Sequence, residues 1–144
     1  MILSDEAATM ALGARLASVV RAGDIITLSG PLGVGKTALA RGLIAALGHV
    51  GEVPSPSFSF VQPYDDIDPP VWHVDLYRIT ERSEIAELGL DCADEALLVV
   101  EWPERADPRS WVDALRLALE FTAKGDRILT ADAPPSWEGR WPLR

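Results

Sequence analysis

The chain has 144 residues, enough to bury a core in one domain and too few for a second domain of any size. Its formal net charge of −9 argues against unaided nucleic-acid binding, which calls for a basic face. Cys92 is the single cysteine, so an intrachain disulfide is excluded, and with only His49 and His73 beside it there is no Cys/His metal cluster.

Taken in order, Ser4 can cap a helix with Asp5 and Glu6 in its first turn and an apolar stripe of Ala8, Leu12, Leu16, Val19 and Val20, which Gly23 stops. Those acids stand where a signal peptide carries positive charge. No apolar run approaches a membrane span, so a cytoplasmic protein is expected, with Cys92 as a small buried residue.

The β-branched run Ile25-Ile26-Thr27-Leu28 then leads into Gly-Pro-Leu-Gly-Val-Gly-Lys-Thr, Gly30 to Thr37. This is a Walker A loop in its strand-loop-helix setting. Its glycines let backbone N–H groups approach phosphate oxygens, and the following helix adds its positive end. The expected nucleotide contacts are Gly30, Gly33, Val34, Gly35, Lys36, Thr37 and Ala38, with Lys36 on the outer phosphates and the Thr37 hydroxyl on Mg²⁺. Of 13 cationic residues only Lys36 and Lys124 are lysine, and a phosphate calls for a compact ammonium at that point. The helix should end at Leu47-Gly48.

Glu52 to Pro70 holds five prolines and little helical pattern; only Ser57 to Val61 alternates like a strand. Its place after the P-loop helix is that of a switch segment. Val71-Trp72-His73-Val74-Asp75 reads as a strand ending in a carboxylate, which reaches the ligand-binding edge if the strand runs parallel to the first. Thr80 or Ser83 can start a short helix through Leu88, closed by Gly89. Ala96 to Glu101 is a continuous apolar run ending in an acid, the Walker B pattern. Ala114 to Phe121 and Arg127 to Ala131 read as an antiparallel pair about Lys124-Gly125-Asp126. The expected fold is α/β: a P-loop NTPase-like three-layer domain over 1–133, mainly parallel, with antiparallel edge strands near the C-terminus, and an irregular tail over 134–144.

Several stretches together resemble the TsaE (YjeE) family, P-loop ATPases of bacterial tRNA threonylcarbamoyladenosine synthesis. They are Asp5 to Leu16, the P-loop, Ser55-Pro56-Ser57-Phe58, His73-Val74-Asp75-Leu76-Tyr77-Arg78, Glu87-Leu88-Gly89-Leu90 and Glu101-Trp102-Pro103-Glu104-Arg105. The DLYR and EWPE stretches single the family out. The resemblance implies an ATP-hydrolysing accessory subunit that acts with TsaD and TsaB, meets tRNA only through them and resets their complex between turnovers. It also implies that Thr9 lies near the nucleotide, that Thr37 and Glu101 hold Mg²⁺, and that Asp75 and Trp102 are needed for hydrolysis. Ser57 stands where the family usually has Thr.

A guanine-reading Asn-Lys-x-Asp segment is missing from the sequence, so adenine is the expected base. A small-molecule P-loop kinase would need an acceptor pocket and commonly an arginine-bearing lid, for which the C-terminal third has no obvious insert. A non-hydrolysing ATP-dependent scaffold would tolerate Glu101→Ala.

Overall fold

The computed structural model describes residues 1–143; Arg144 and the side chain of Cys92, with the expectation that it is buried, lie outside the described residues. Seven strands form one sheet: β1 (Ile2–Leu3), β2 (Ile25–Ser29), β3 (Val61–Tyr64), β4 (Val71–Asp75), β5 (Leu97–Glu101), β6 (Leu115–Phe121) and β7 (Arg127–Asp132), in the order β1-β7-β6-β2-β5-β4-β3. β6, β2, β5 and β4 run parallel. β3 pairs antiparallel with β4 at one end, and β7 and β1 continue antiparallel at the other. The expected P-loop α/β arrangement is therefore present, with two additions. β7 is not the edge, because Ile2 and Leu3 pair with it, and β3 supplies a second antiparallel edge before the parallel core is complete.

The helices α1 (Glu6–Leu16) and α2 (Lys36–Ala46) cover one face of the sheet. Leu12 and Leu16 of α1 join Leu39, Leu43 and Ile44 of α2 over Ile26, Leu28, Leu97 and Val99 in one buried cluster. The other face carries the four-residue α3 (Ser83–Ala86) and short 3-10 turns, under which Val74, Leu98, Val100 and Trp111 are buried. The alternation of β5 accounts for both clusters: Leu97 and Val99 point to one layer, Leu98 and Val100 to the other, and so the run is apolar throughout.

Three local expectations are corrected. The cap of α1 is Asp5, whose side chain accepts from the Ala8 N–H, and the helix stops at Leu16, short of Gly23. Asp5 is extended and one residue nearer the first turn than Ser4, which suits it to the orphan N–H groups. Ser57 to Ser59 form a turn and Phe60 adopts a left-handed backbone (φ 65°), so the strand begins at Val61. Pro63 fits inside it because an edge strand can leave one N–H position unused.

Residues 134–143 contain a 3-10 turn at Pro135–Trp137 and pack back on the domain. The Trp137 side chain lies within the α1–α2 core cluster. Arg140 stacks 4.1 Å from its ring and makes a two-pronged ion pair with Asp24, just before β2, at 2.6 and 3.1 Å.

Candidate functional site

The parallel order β4-β5-β2 brings three strand ends to one edge of the sheet, where the loop between β2 and α2 sits. Asp75 and Glu101 are register partners on neighbouring strands, so their carboxylates emerge side by side. α2 begins at Lys36 and its N-cap Gly35 is left-handed (φ 117°), a backbone conformation that favours glycine. That turn places Lys36 and Thr37 directly over the two acids.

Thr37 Oγ1 lies 3.0 Å from both Oε1 and Oε2 of Glu101. The Lys36 ammonium donates to the Gly30 carbonyl and lies 3.5 Å from the centroid of the Trp102 ring. Trp102 itself is left-handed (φ 59°), a rare state for a bulky residue and one that collects at functional sites. Its ring also meets Tyr77, with centroids 4.9 Å apart.

Lys36, Asp75 and Glu101 are each at least 95% buried, with relative exposures of 4%, 4% and 2%. Burial draws the Lys36 ammonium below its ordinary value, against the pull of Glu101, Glu104 and Asp75. Burial, with repulsion from Glu101, pushes the Asp75 carboxyl up; the Tyr77 N–H, from which it accepts at 2.9 Å, and the charge of Lys36 oppose the rise. Two acids and one ammonium packed together leave a negative excess that a cation would relieve.

These groups line a cavity of about 430 Å³ whose walls include Gly33, Gly35, Ala38, Ser55, Ser57, Arg78 and Arg127. Of the residues expected at the site, Gly33, Gly35, Lys36, Thr37, Ala38, Asp75, Glu101 and Trp102 line it. Thr9, Gly30 and Val34 do not line it, although the Gly30 carbonyl accepts from the Lys36 ammonium. Thr9 is wholly buried, packs against Gly35 and gives its hydroxyl to the Asp5 carbonyl. The Val34 carbonyl accepts from Arg127 Nε at 3.0 Å.

Arg127 and His73 were not singled out by the sequence. Arg127 reaches the P-loop from β7, 93 positions away, with no local signal. His73 does carry one, since it stands two residues before Asp75 in a strand whose side chains alternate. Arg41, by a 2.8 Å bond from Nε to the Val53 carbonyl, and Arg78, 4.2 Å over the Phe58 ring, tie the Glu52 to Pro70 segment to side chains that line the cavity.

The donor set fits a hard divalent cation. Mg²⁺ takes oxygen ligands and is commonly held through one or two carboxylates plus substrate phosphates, keeping several waters. A hydroxyl and a carboxylate already in contact supply such oxygens. Among the described residues no cluster of three or more His, Cys, Asp or Glu side chains forms a cage, so this chain would contribute only part of the shell. Nor, among the described residues, is any helix long and apolar enough to cross a membrane.

Comparison with known proteins places this geometry. A family model described as threonylcarbamoyl adenosine biosynthesis protein TsaE matches residues 3–129. A Streptomyces coelicolor protein named tRNA threonylcarbamoyladenosine biosynthesis protein TsaE is 43% identical, over 84% of this chain and 94% of its own. The Bacillus subtilis protein of the same name is 32% identical, over 87% of this chain and 79% of its own. The crystal structure of Bacillus subtilis YdiB superposes with a TM-score of 0.77 at 26% identity, covering 94% of this chain and 85% of that one. With the family model spanning the parallel strands, the P-loop and both acidic strand ends, the chain belongs to the TsaE family of threonylcarbamoyl adenosine biosynthesis proteins.

Proposed function

We propose that this chain binds ATP with Mg²⁺ and hydrolyses it as an accessory subunit in tRNA threonylcarbamoyladenosine synthesis, acting with TsaD and TsaB homologues as an ATP-driven switch. The observation that carries the reading is the Thr37 hydroxyl held 3.0 Å from both Glu101 oxygens beneath a Walker A loop. Lys36 serves the outer phosphates as a point charge, and N–H groups of the loop and of the first turn of α2 hold the phosphate oxygens. Thr37 and Glu101 hold Mg²⁺, which, when bound, neutralises charge gathering on the phosphates. Asp75 lies beside Glu101 and can orient water, while Trp102 fixes Lys36 from the side.

Hydrolysis by the chain alone is slow in this reading. Arg78 and Arg127 line the cavity, but each is engaged elsewhere, Arg78 on Phe58 and Arg127 on the Val34 carbonyl. Neither contact directs a guanidinium at the transferring phosphoryl group, and Arg78 or a partner's residue would have to move there on docking. Docking on TsaD–TsaB completes the site, and contact with tRNA passes through those partners, because a surface at −9 repels a polyanion.

The test is steady-state ATP hydrolysis with and without the partner pair, together with tRNA binding by the isolated chain at near-physiological salt. Stimulation by the partners and no measurable tRNA binding are expected. Full-rate hydrolysis in isolation, or micromolar tRNA binding that weakens steeply with salt, would overturn the reading.

A further inference from the structure

His73 is wholly buried in the centre of the sheet, opposite Val99 on β5. Its parity on β4 is that of Asp75, so it faces the α2 layer and points at the second acid rather than the first. Nε2 lies 2.7 Å from Glu101 Oε2, whereas Nδ1 has no hydrogen-bond partner among the described residues. A carboxylate only accepts, so the proton of this bond sits on Nε2. The neutral ring then leaves Nδ1 as a bare lone pair; an imidazolium would bury an unmatched N–H there.

The contact breaks a symmetry that Thr37 leaves intact. Thr37 Oγ1 is equidistant from Oε1 and Oε2 at 3.0 Å, and one hydroxyl proton cannot distinguish them. Only Oε2 has a bond to a buried ring that packing prevents from turning. We infer that His73 is a positioning residue that engages Oε2 of Glu101 and so presents Oε1 to the Mg²⁺ of the bound nucleotide. The inference rests on the nucleotide reading above and adds a group to it that touches neither metal nor phosphate. Its physical basis is general: a partner behind a ligating group fixes the ligand's orientation, and its loss typically weakens metal affinity or activity about 10–100-fold.

Three variants separate positioning from space filling. His73→Leu fills the volume without a donor. His73→Gln places an amide nitrogen near the position of Nε2, and His73→Asn places one too short to reach Glu101. Each is measured for melting temperature, for the Mg²⁺ concentration giving half-maximal hydrolysis, and by calorimetry for ATP affinity with Mg²⁺ and with chelator. The expected result is a half-saturating Mg²⁺ raised about 10–100-fold in Leu and Asn, near wild type in Gln, with ATP affinity in chelator unchanged in all three. A wild-type Mg²⁺ requirement in Leu or Asn would overturn the inference. Equal impairment of Gln and Asn would do the same, and that comparison stands if the Leu variant does not fold. Wild-type protein without Mg²⁺-dependent ATP binding would overturn the nucleotide reading itself, and this inference with it.

Discussion

The Lys36 ammonium is stacked 3.5 Å from the centre of the Trp102 ring, between the indole and the Gly30 carbonyl to which it donates. The lysine proposed to meet the phosphates is thus held by an aromatic face and a loop oxygen, both weaker partners than a triphosphate. Lys36→Ala should weaken ATP binding by about 1.5–3 kcal/mol, the scale of a lost charge-assisted bond, and calorimetry reads it. Bound ATP should also draw the ammonium from the ring, so an ATP titration should change tryptophan emission in the wild type and not in Trp102→Phe. Unaltered ATP affinity in Lys36→Ala would remove the P-loop assignment.

Glu101→Ala and Asp75→Ala should separate turnover from binding. Both acids sit at adjacent strand ends beside Lys36 and Thr37, and in the proposed hydrolysis their effect should be greatest as charge shifts in the transition state. Loss of several kcal/mol of such stabilisation lowers kcat by roughly a hundredfold or more, with ATP affinity changed far less. Equal losses in kcat and affinity would make them ground-state ligands only, and undiminished function in Glu101→Ala would point to a non-hydrolysing scaffold.

Asp75 also gives a pH signature to stability. Burial, with help from Glu101, raises its carboxyl above the ordinary 3.8. Between that value and the raised one the folded chain binds more protons than the unfolded, so stability falls as pH rises through the window and the penalty stays constant above it. Asp75→Asn removes the charge and keeps an oxygen for the Tyr77 N–H. Without Mg²⁺ the variant should melt above the wild type at pH 7, and the difference should vanish as pH drops below 3.8. A difference independent of pH would show that the gain is not electrostatic.

Arg140 ties the C-terminal residues to the core. Its side chain and that of Asp24 are 8% and 12% exposed, and its guanidinium also donates to the Val19 and Ser136 carbonyls at 3.0 and 2.8 Å. Arg140→Ala strands a largely buried carboxylate, at a cost of about 3–5 kcal/mol. At about 2–4 °C per kcal/mol for a chain of this size, the melting temperature should fall by roughly 6–20 °C. Asp24→Ala in the same chain should recover part of that loss. A fall below about 2 °C would mean that the ion pair contributes little, as surface pairs do.

What the sequence determined by itself is what contiguous residues encode. The glycine spacing of Gly30 to Thr37 sets a local backbone path, and the apolar run before Glu101 sets a strand buried on both faces, so loop, strand and acid were legible together with the family resemblance. What it did not determine depends on distant segments meeting. Gly13 and Gly42 sit inside helices, where glycine weakens the local preference. Only the packing of α1 on α2 explains them, since a Cβ on Gly13 would land on the Leu39 carbonyl and one on Gly42 on the Met10 carbonyl. Phe60 falls within an alternating sequence pattern, yet its left-handed turn is set by bonds to Pro56 and Asp75. Arg127 reaches Val34, Arg140 reaches Asp24, and His73 reaches Glu101 across 28 or more positions. Each of those contacts depends on strand order and register, which are settled only when the whole sheet assembles and the long-range pairings outweigh the chain entropy that opposes them.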